Sequence, residues 1–166
     1  MVGVGYAPHS LRPDVERKVF FEQLEALEGA TRGRCFLVLL LDANATLPVG
    51  TGGCKYAPSG TVSNDNTARF ADLLASSNLV AANTRFQHSS DDLVTHVSPD
   101  GASARCIDYI VVRHRDRTSV LDARSYSAPL VRSDHCTAPC VLGPASISLP
   151  NLTATRRLLI GACSAC

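Results

Sequence analysis

The 166-residue chain is 45% hydrophobic and 19% charged, a globular balance that suits one domain, or part of a larger one, able to bury roughly 70% of its unfolded surface if it folds alone. A formal charge of +1 excludes a whole-chain electrostatic pull toward nucleic acid or lipid. Seven scattered Cys exclude a dense secreted disulfide scaffold and fit a reducing compartment; with no signal peptide and no apolar run of membrane-spanning length, the expected location is intracellular, nuclear or cytoplasmic, without membrane attachment.

Val2 to Tyr6 alternates with Gly and stops at Ala7-Pro8, which predicts a strand running into a loop. Pro13 suits a first helical position, Asp14 and Glu16 the first turn, and Val15, Val19, Phe20, Leu24 and Leu27 recur at helical spacing before Gly29. The same pattern puts Glu22, Glu25 and Glu28 on a solvated outer stripe. Thr46 to Asn66, rich in Gly, Pro, Ser and Asn, is a long loop without the Lys-Ser/Thr ending of a phosphate-binding P-loop. A short helix capped by Asn66 or Thr67 and reaching Ser77 leads into a strand at Leu79 to Asn83.

Leu93 to Val97, the turn Ser98-Pro-Asp-Gly101 and Ala104 to Arg113 then read as a hairpin. His114 to Thr118 is a charged connection whose flanking arginines Arg113, Arg115 and Arg117 could touch phosphate, though a solvated turn is the plainer reading. Val120 to Tyr126 is a strand, Ala128 to Arg132 a loop, and Cys136 to Leu142 a last strand that Pro139 assigns to an edge. No element is expected beyond Gly143, so residues 1–142 form the folded unit and 143–166 an irregular tail. Cys136-x3-Cys140 and Cys163-x2-Cys166 can be drawn as a zinc site, but Pro139 divides the first pair and the second ends the chain; thiols without metal fit better.

Chemistry concentrates around Cys35-Phe-Leu-Val-Leu-Leu-Leu-Asp-Ala-Asn44. Its apolar run is a strand buried on both faces, ending in Asp42 and Asn44, which alternation places on one face. A plain turn explains those two residues equally well. Asp108, inside an apolar strand, is costly unless something bonds it, and Asp134-His135 follows a loop. Together Asp42, Asn44, Asp108, Asp134 and His135 are a hydrolase's inventory: a carboxylate for a hard divalent cation, a carboxylate to activate water, an amide and a carboxylate-held imidazole to donate to a phosphoryl oxygen.

The ordered segments Tyr6-Ala-Pro, Leu41-Asp-Ala-Asn-Ala45, Asn66 to Asn83-Thr, Ser98-Pro-Asp-Gly101, Ile107-Asp-Tyr-Ile110 and Ser133-Asp-His135 resemble the endonuclease/exonuclease/phosphatase superfamily. The nearest flavour is the apurinic-endonuclease-like nuclease domain of non-LTR retrotransposons. The resemblance implies a four-layered α-β-β-α sandwich, an α/β fold of the DNase I type, here incomplete at the N-terminus because the opening strands and their metal-binding Glu are lacking. It implies metal-dependent phosphodiester hydrolysis with Mg or Mn and DNA as substrate. Asp42 would activate water, Asn44 and Tyr6 would contact the phosphate, Asp108 would orient His135, His135 would stabilise charge on the scissile phosphate, and Asp134 would hold the metal. Leu41 stands where the family has Gly, Ala43 where it has an aromatic, and His96 where it has Trp. Two alternatives stay open: a non-catalytic remnant of such a domain, and a lipid or inositol phosphodiesterase of the same superfamily.

Overall fold

A computed structural model describes residues 1–31, 35–126, 134–136, 138–143 and 156–158. In chain order the elements are β1 (Val2–Tyr6), α1 (Asp14–Ala30), β2 (Val38–Asp42), α2 (Thr67–Ser76), β3 (Leu79–Ala81), β4 (His96–Val97), β5 (Ala104–Arg105), β6 (Asp108–Arg113), β7 (Val120–Ala123), β8 (Cys140–Leu142) and β9 (Arg156–Leu158). The main sheet has the order β1-β2-β6-β3, with β1 parallel to β2 and β6 antiparallel to both its neighbours. A second sheet has the order β7-β8-β9.

The apolar run of β2 is needed on both sides. Leu39 and Leu41 pack with Phe21, Leu24, Phe70, Leu73, Tyr109 and Val111 under the two helices. Val38 and Leu40 face the other way, against Ile110, Val112, Val80 and the second-sheet residues Val120, Ala123 and Cys140. The molecule is therefore mixed α/β, with a helical layer, a mixed sheet and a second sheet; among the described residues no helix covers the outer face of that second sheet. The fourth layer is thus not seen.

Several local expectations shift. Helix α1 buries Arg17, Phe21, Leu24 and Glu28, while Val15, Val19 and Leu27 are exposed. Ion pairs rotate the helix: Arg17 meets Asp14 and Asp65, and Glu28 meets Arg113 across 3.0 Å with both side chains buried. Gly3 and Gly5 leave room on β1 for the β2 side chains Leu39 and Leu41, since a Cβ at either glycine would stand 2.9 Å from the facing leucine methyl. Arg113, expected in solvent, also donates to the carbonyls of Cys35 and Thr31.

Asn66 stands at the start of α2 without a side-chain cap bond. The long expected hairpin is instead two short pieces: β4 pairs with β5, and β6 joins the main sheet. The chain changes sheet at Cys106-Ile107, where Thr95 Oγ1 accepts from the N–H groups of both Ile107 and Asp108 at 3.0 Å. The intervening turn is as read, with the Gly101 N–H donating to the Ser98 carbonyl and a φ of +69° that suits glycine. β8 starts after Pro139 rather than at Cys136. Beyond Gly143 the described residues are those of β9, paired with β8 where no element was expected; Ser133, the loop 128–132, Cys163 and Cys166 lie outside the described residues.

Candidate active site

Strand register brings the first three polar residues into one row. Tyr6 pairs with Asp42, and Asp42 with Asp108, at the end of the main sheet where β1 and β2 finish and β6 begins. The loops at that end are tied down by amides. Asn44, at φ 42°, uses its backbone N–H to donate to Asp42 Oδ1 and its Nδ2 to donate to the Ala7 carbonyl, both at 2.9 Å. Asn66 Nδ2 donates to the carbonyls of Pro8, Ala43 and Asn44. Strands β1 and β2 are thereby locked to each other beyond the end of their ladder.

Asp108 is held from three sides. Its N–H donates to Thr95, its carbonyl accepts from Asn83 Nδ2 at 3.0 Å, and its Oδ2 lies 3.0 Å from His135 Nδ1. The carboxylate partner that makes an acid tolerable inside an apolar strand is therefore His135. His135 Nε2 stands 3.9 Å from Asp42 Oδ2, so the ring bridges two carboxylates. Residues 134–136 reach this position because His135 forms an antiparallel bridge with His96, flanked by the Val97 N–H donating to the Asp134 carbonyl at 2.8 Å and the Cys136 N–H donating to the Thr95 carbonyl at 2.7 Å.

The electrostatics follow from burial. Asp42 is pushed up to about 6, first by desolvation and then by Asp108, with the Asn44 N–H opposing. His135 is raised by its bond to Asp108. His96 is lowered by burial and by His135 beside it. Asp134 is half exposed, with Oδ2 3.5 Å from His96 Nε2.

All six expected residues thus gather at one end of the sheet, with differences in what each is free to do. Asn44 spends its amide nitrogen on Ala7, and Tyr6 is 60% exposed. Sequence reasoning missed Thr95, Asn83 and Asn66, which position the site rather than line it. Nothing marks Thr95 in the sequence, whereas Asn83 reads as the end of a strand and Asn66 as a helix cap until their burial is seen. Among the described residues, two groups of donor atoms lie within 4.8 Å of one another: Asp42, Asp108 and His135, and His96, Asp134 and His135. Neither contains a cysteine. Mg2+ and Mn2+ favour oxygen ligands, and Asp134 with two imidazoles, or two carboxylates already shared by His135, does not fit such a cation in the unliganded chain.

No family model matches the chain. It is 33% identical over 136 residues to craniofacial development protein 2 of Tragulus javanicus, covering 78% of this chain and 23% of that protein, and 32% identical to the Bos taurus protein over the same length. Among solved structures it is similar to the 3′ phosphatase NExo from Neisseria bound to a product DNA hairpin, with a TM-score of 0.55 and 20% identity over 76% of this chain and 53% of that one. It is also similar to the endonuclease domain of TRAS1, a telomere-specific non-LTR retrotransposon, with a TM-score of 0.53 and 16% identity over 79% and 52%. The chain shares the fold of these endonuclease/exonuclease/phosphatase-type structures. It spans about half the length of these solved structures and under a quarter of the curated relatives. Within the described part of this endonuclease/exonuclease/phosphatase fold no helix is long and apolar enough to cross a membrane.

Proposed function

We propose that this chain carries the water-activating and phosphate-binding groups of a DNA phosphodiesterase of the retroelement-endonuclease type. The observation that supports it most is the Asp42–His135–Asp108 arrangement, with 3.9 and 3.0 Å between the ring nitrogens and the two carboxylates. Asp42, raised to about 6, is a base matched to neutral pH: ionised, yet basic enough to take a proton from an attacking water. Asp108 accepts from His135 Nδ1 and so fixes the ring and favours its protonated form, which puts positive charge opposite Asp42 where a phosphoryl oxygen would gain most from it. Tyr6, exposed at the end of the same row, offers its hydroxyl to a phosphate, and Asn44 shapes the loop beside it. A Mg2+ or Mn2+ ion, as the fold implies, would meet at Asp134 a half-exposed carboxylate that already faces His96. The neighbour holding a DNA hairpin supports DNA as the substrate.

The test is nicking of supercoiled DNA with Mg2+ or Mn2+ present. Asp42→Ala and His135→Ala should each lower the rate about 10²–10⁴-fold. The rate should rise with pH through about 6 as Asp42 ionises and fall above the ordinary histidine range as His135 loses its proton. Equal rates for all three chains would sink the proposal. A non-catalytic remnant is the second reading, favoured by the pairing of all three site carboxylates with imidazoles rather than with an oxygen-rich cation site, and an inactive but DNA-binding chain would select it.

A further inference from the structure

His96 stands where the resemblance leads one to expect Trp, and the hydrolytic arrangement makes no use of it. Its ring lies against His135 edge to face, with centroids 5.0 Å apart, and its Nε2 is 3.5 Å from Asp134 Oδ2. One donor atom from each of His96, Asp134 and His135 falls within 4.8 Å of the others. Donors at about 2.0–2.1 Å around a tetrahedral zinc ion stand roughly 3.3–3.4 Å apart. The nitrogen–oxygen pair, at 3.5 Å, is close to that separation, and the His135 donor lies within 4.8 Å of both.

The backbone holds this trio in place. The His96–His135 bridge and its two flanking hydrogen bonds fix both segments, so the ligands come from a short ladder rather than a loose loop. His135 Nδ1 is engaged by Asp108 Oδ2 at 3.0 Å, an arrangement in which a carboxylate orients the ring and makes its other nitrogen a better ligand. Asp134 and both rings keep some exposure, with 48%, 21% and 25% of their side-chain surfaces accessible, which gives an ion a route in. Two imidazoles and one carboxylate are the ligand set of a borderline transition cation, whereas Mg2+ and Ca2+ take oxygen.

We propose that His96, Asp134 and His135 form a three-ligand site for a zinc-class divalent cation, with a coordination position left open to solvent. An ion held there engages the imidazole that the hydrolytic reading assigns to phosphate, so occupancy by Zn2+ and phosphate binding at His135 compete. The site stands or falls on binding to the unliganded chain, independently of whether that chain cleaves DNA.

The experiment is calorimetric titration of the full chain with Zn2+, followed by Co2+ titration read by visible absorption. His96→Gln and Asp134→Asn should each weaken Zn2+ by more than the roughly 10–100-fold that losing an outer partner costs, and Asp108→Asn should weaken it within that range. The Co2+ spectrum should show a nitrogen and oxygen set without thiolate charge transfer. Far-UV circular dichroism identifies any variant that has not folded, and the half-exposed Asp134 is the safeguard if His96→Gln fails. No Zn2+ binding to the full chain, a loss of affinity below about tenfold in folded His96→Gln or Asp134→Asn, or a thiolate signature in the spectrum, which would place the metal on cysteines, would each overturn the proposal.

Discussion

Asp42 is the residue at which stability and chemistry oppose each other most clearly. Its carboxyl is raised from the ordinary range to about 6, so the folded chain binds that proton more tightly than the unfolded one, and stability falls as pH rises from about 4 to 6. Asp42→Asn keeps the oxygen that accepts from Asn44 and removes the charge. It should therefore stabilise the fold at pH 7 by about 1–3 kcal/mol and make little difference at pH 4, which urea denaturation at the two pH values would measure. At this scale the acids and amides that gather at the end of the sheet stood out in the sequence, because polar groups that interrupt apolar runs are costly without a partner. It did not show which partners they take. The bond from Asp108 to His135 spans 27 positions and the Thr95 hydroxyl acts 13 positions away, beyond the reach of any local pattern.

At the scale of elements, β6 is anchored at its far end by Arg113, which donates to Glu28, to the carbonyls of Cys35 and Thr31, and to the Thr31 hydroxyl. Helical periodicity assigned Glu28 to solvent because charges normally face outward; its partner lies 85 positions away in another element. Arg113→Met should leave the buried Glu28 without its guanidinium, at a cost of about 3–5 kcal/mol, and Arg113→Met with Glu28→Gln should recover much of it. Denaturant midpoints of the two variants would decide the matter. The strands themselves were legible where apolar runs were long, as in β2 and β6, and shorter than read where side chains intervene, as at Thr95 and Pro139. The pairing of β9 with β8 had no signal, since three residues are too few for a period to show.

Across the whole molecule, β1 is an edge of the main sheet among the described residues, and its Val2, Val4 and Tyr6 are 55%, 78% and 60% exposed. These side chains lie in register with Val38, Leu40 and Asp42, on the face that β7 and β8 cover further along the sheet. An open strand edge with an apolar face is a template for association. The chain should associate as concentration rises, and Val4→Lys should suppress this in sedimentation velocity without changing far-UV circular dichroism. The ladder through His96 and His135 has a kinetic counterpart. It joins residues 39 positions apart with a few hydrogen bonds, whereas β2 and β6 share a five-residue register. Closing so long a loop for so few contacts is slow to be repaid, so His135 should dock after the main sheet has formed. Amide exchange would then be faster at Val97 and Cys136 than at Leu40 or Ile110: the protein would spend part of its time fully folded in its sheet yet without its imidazole in place.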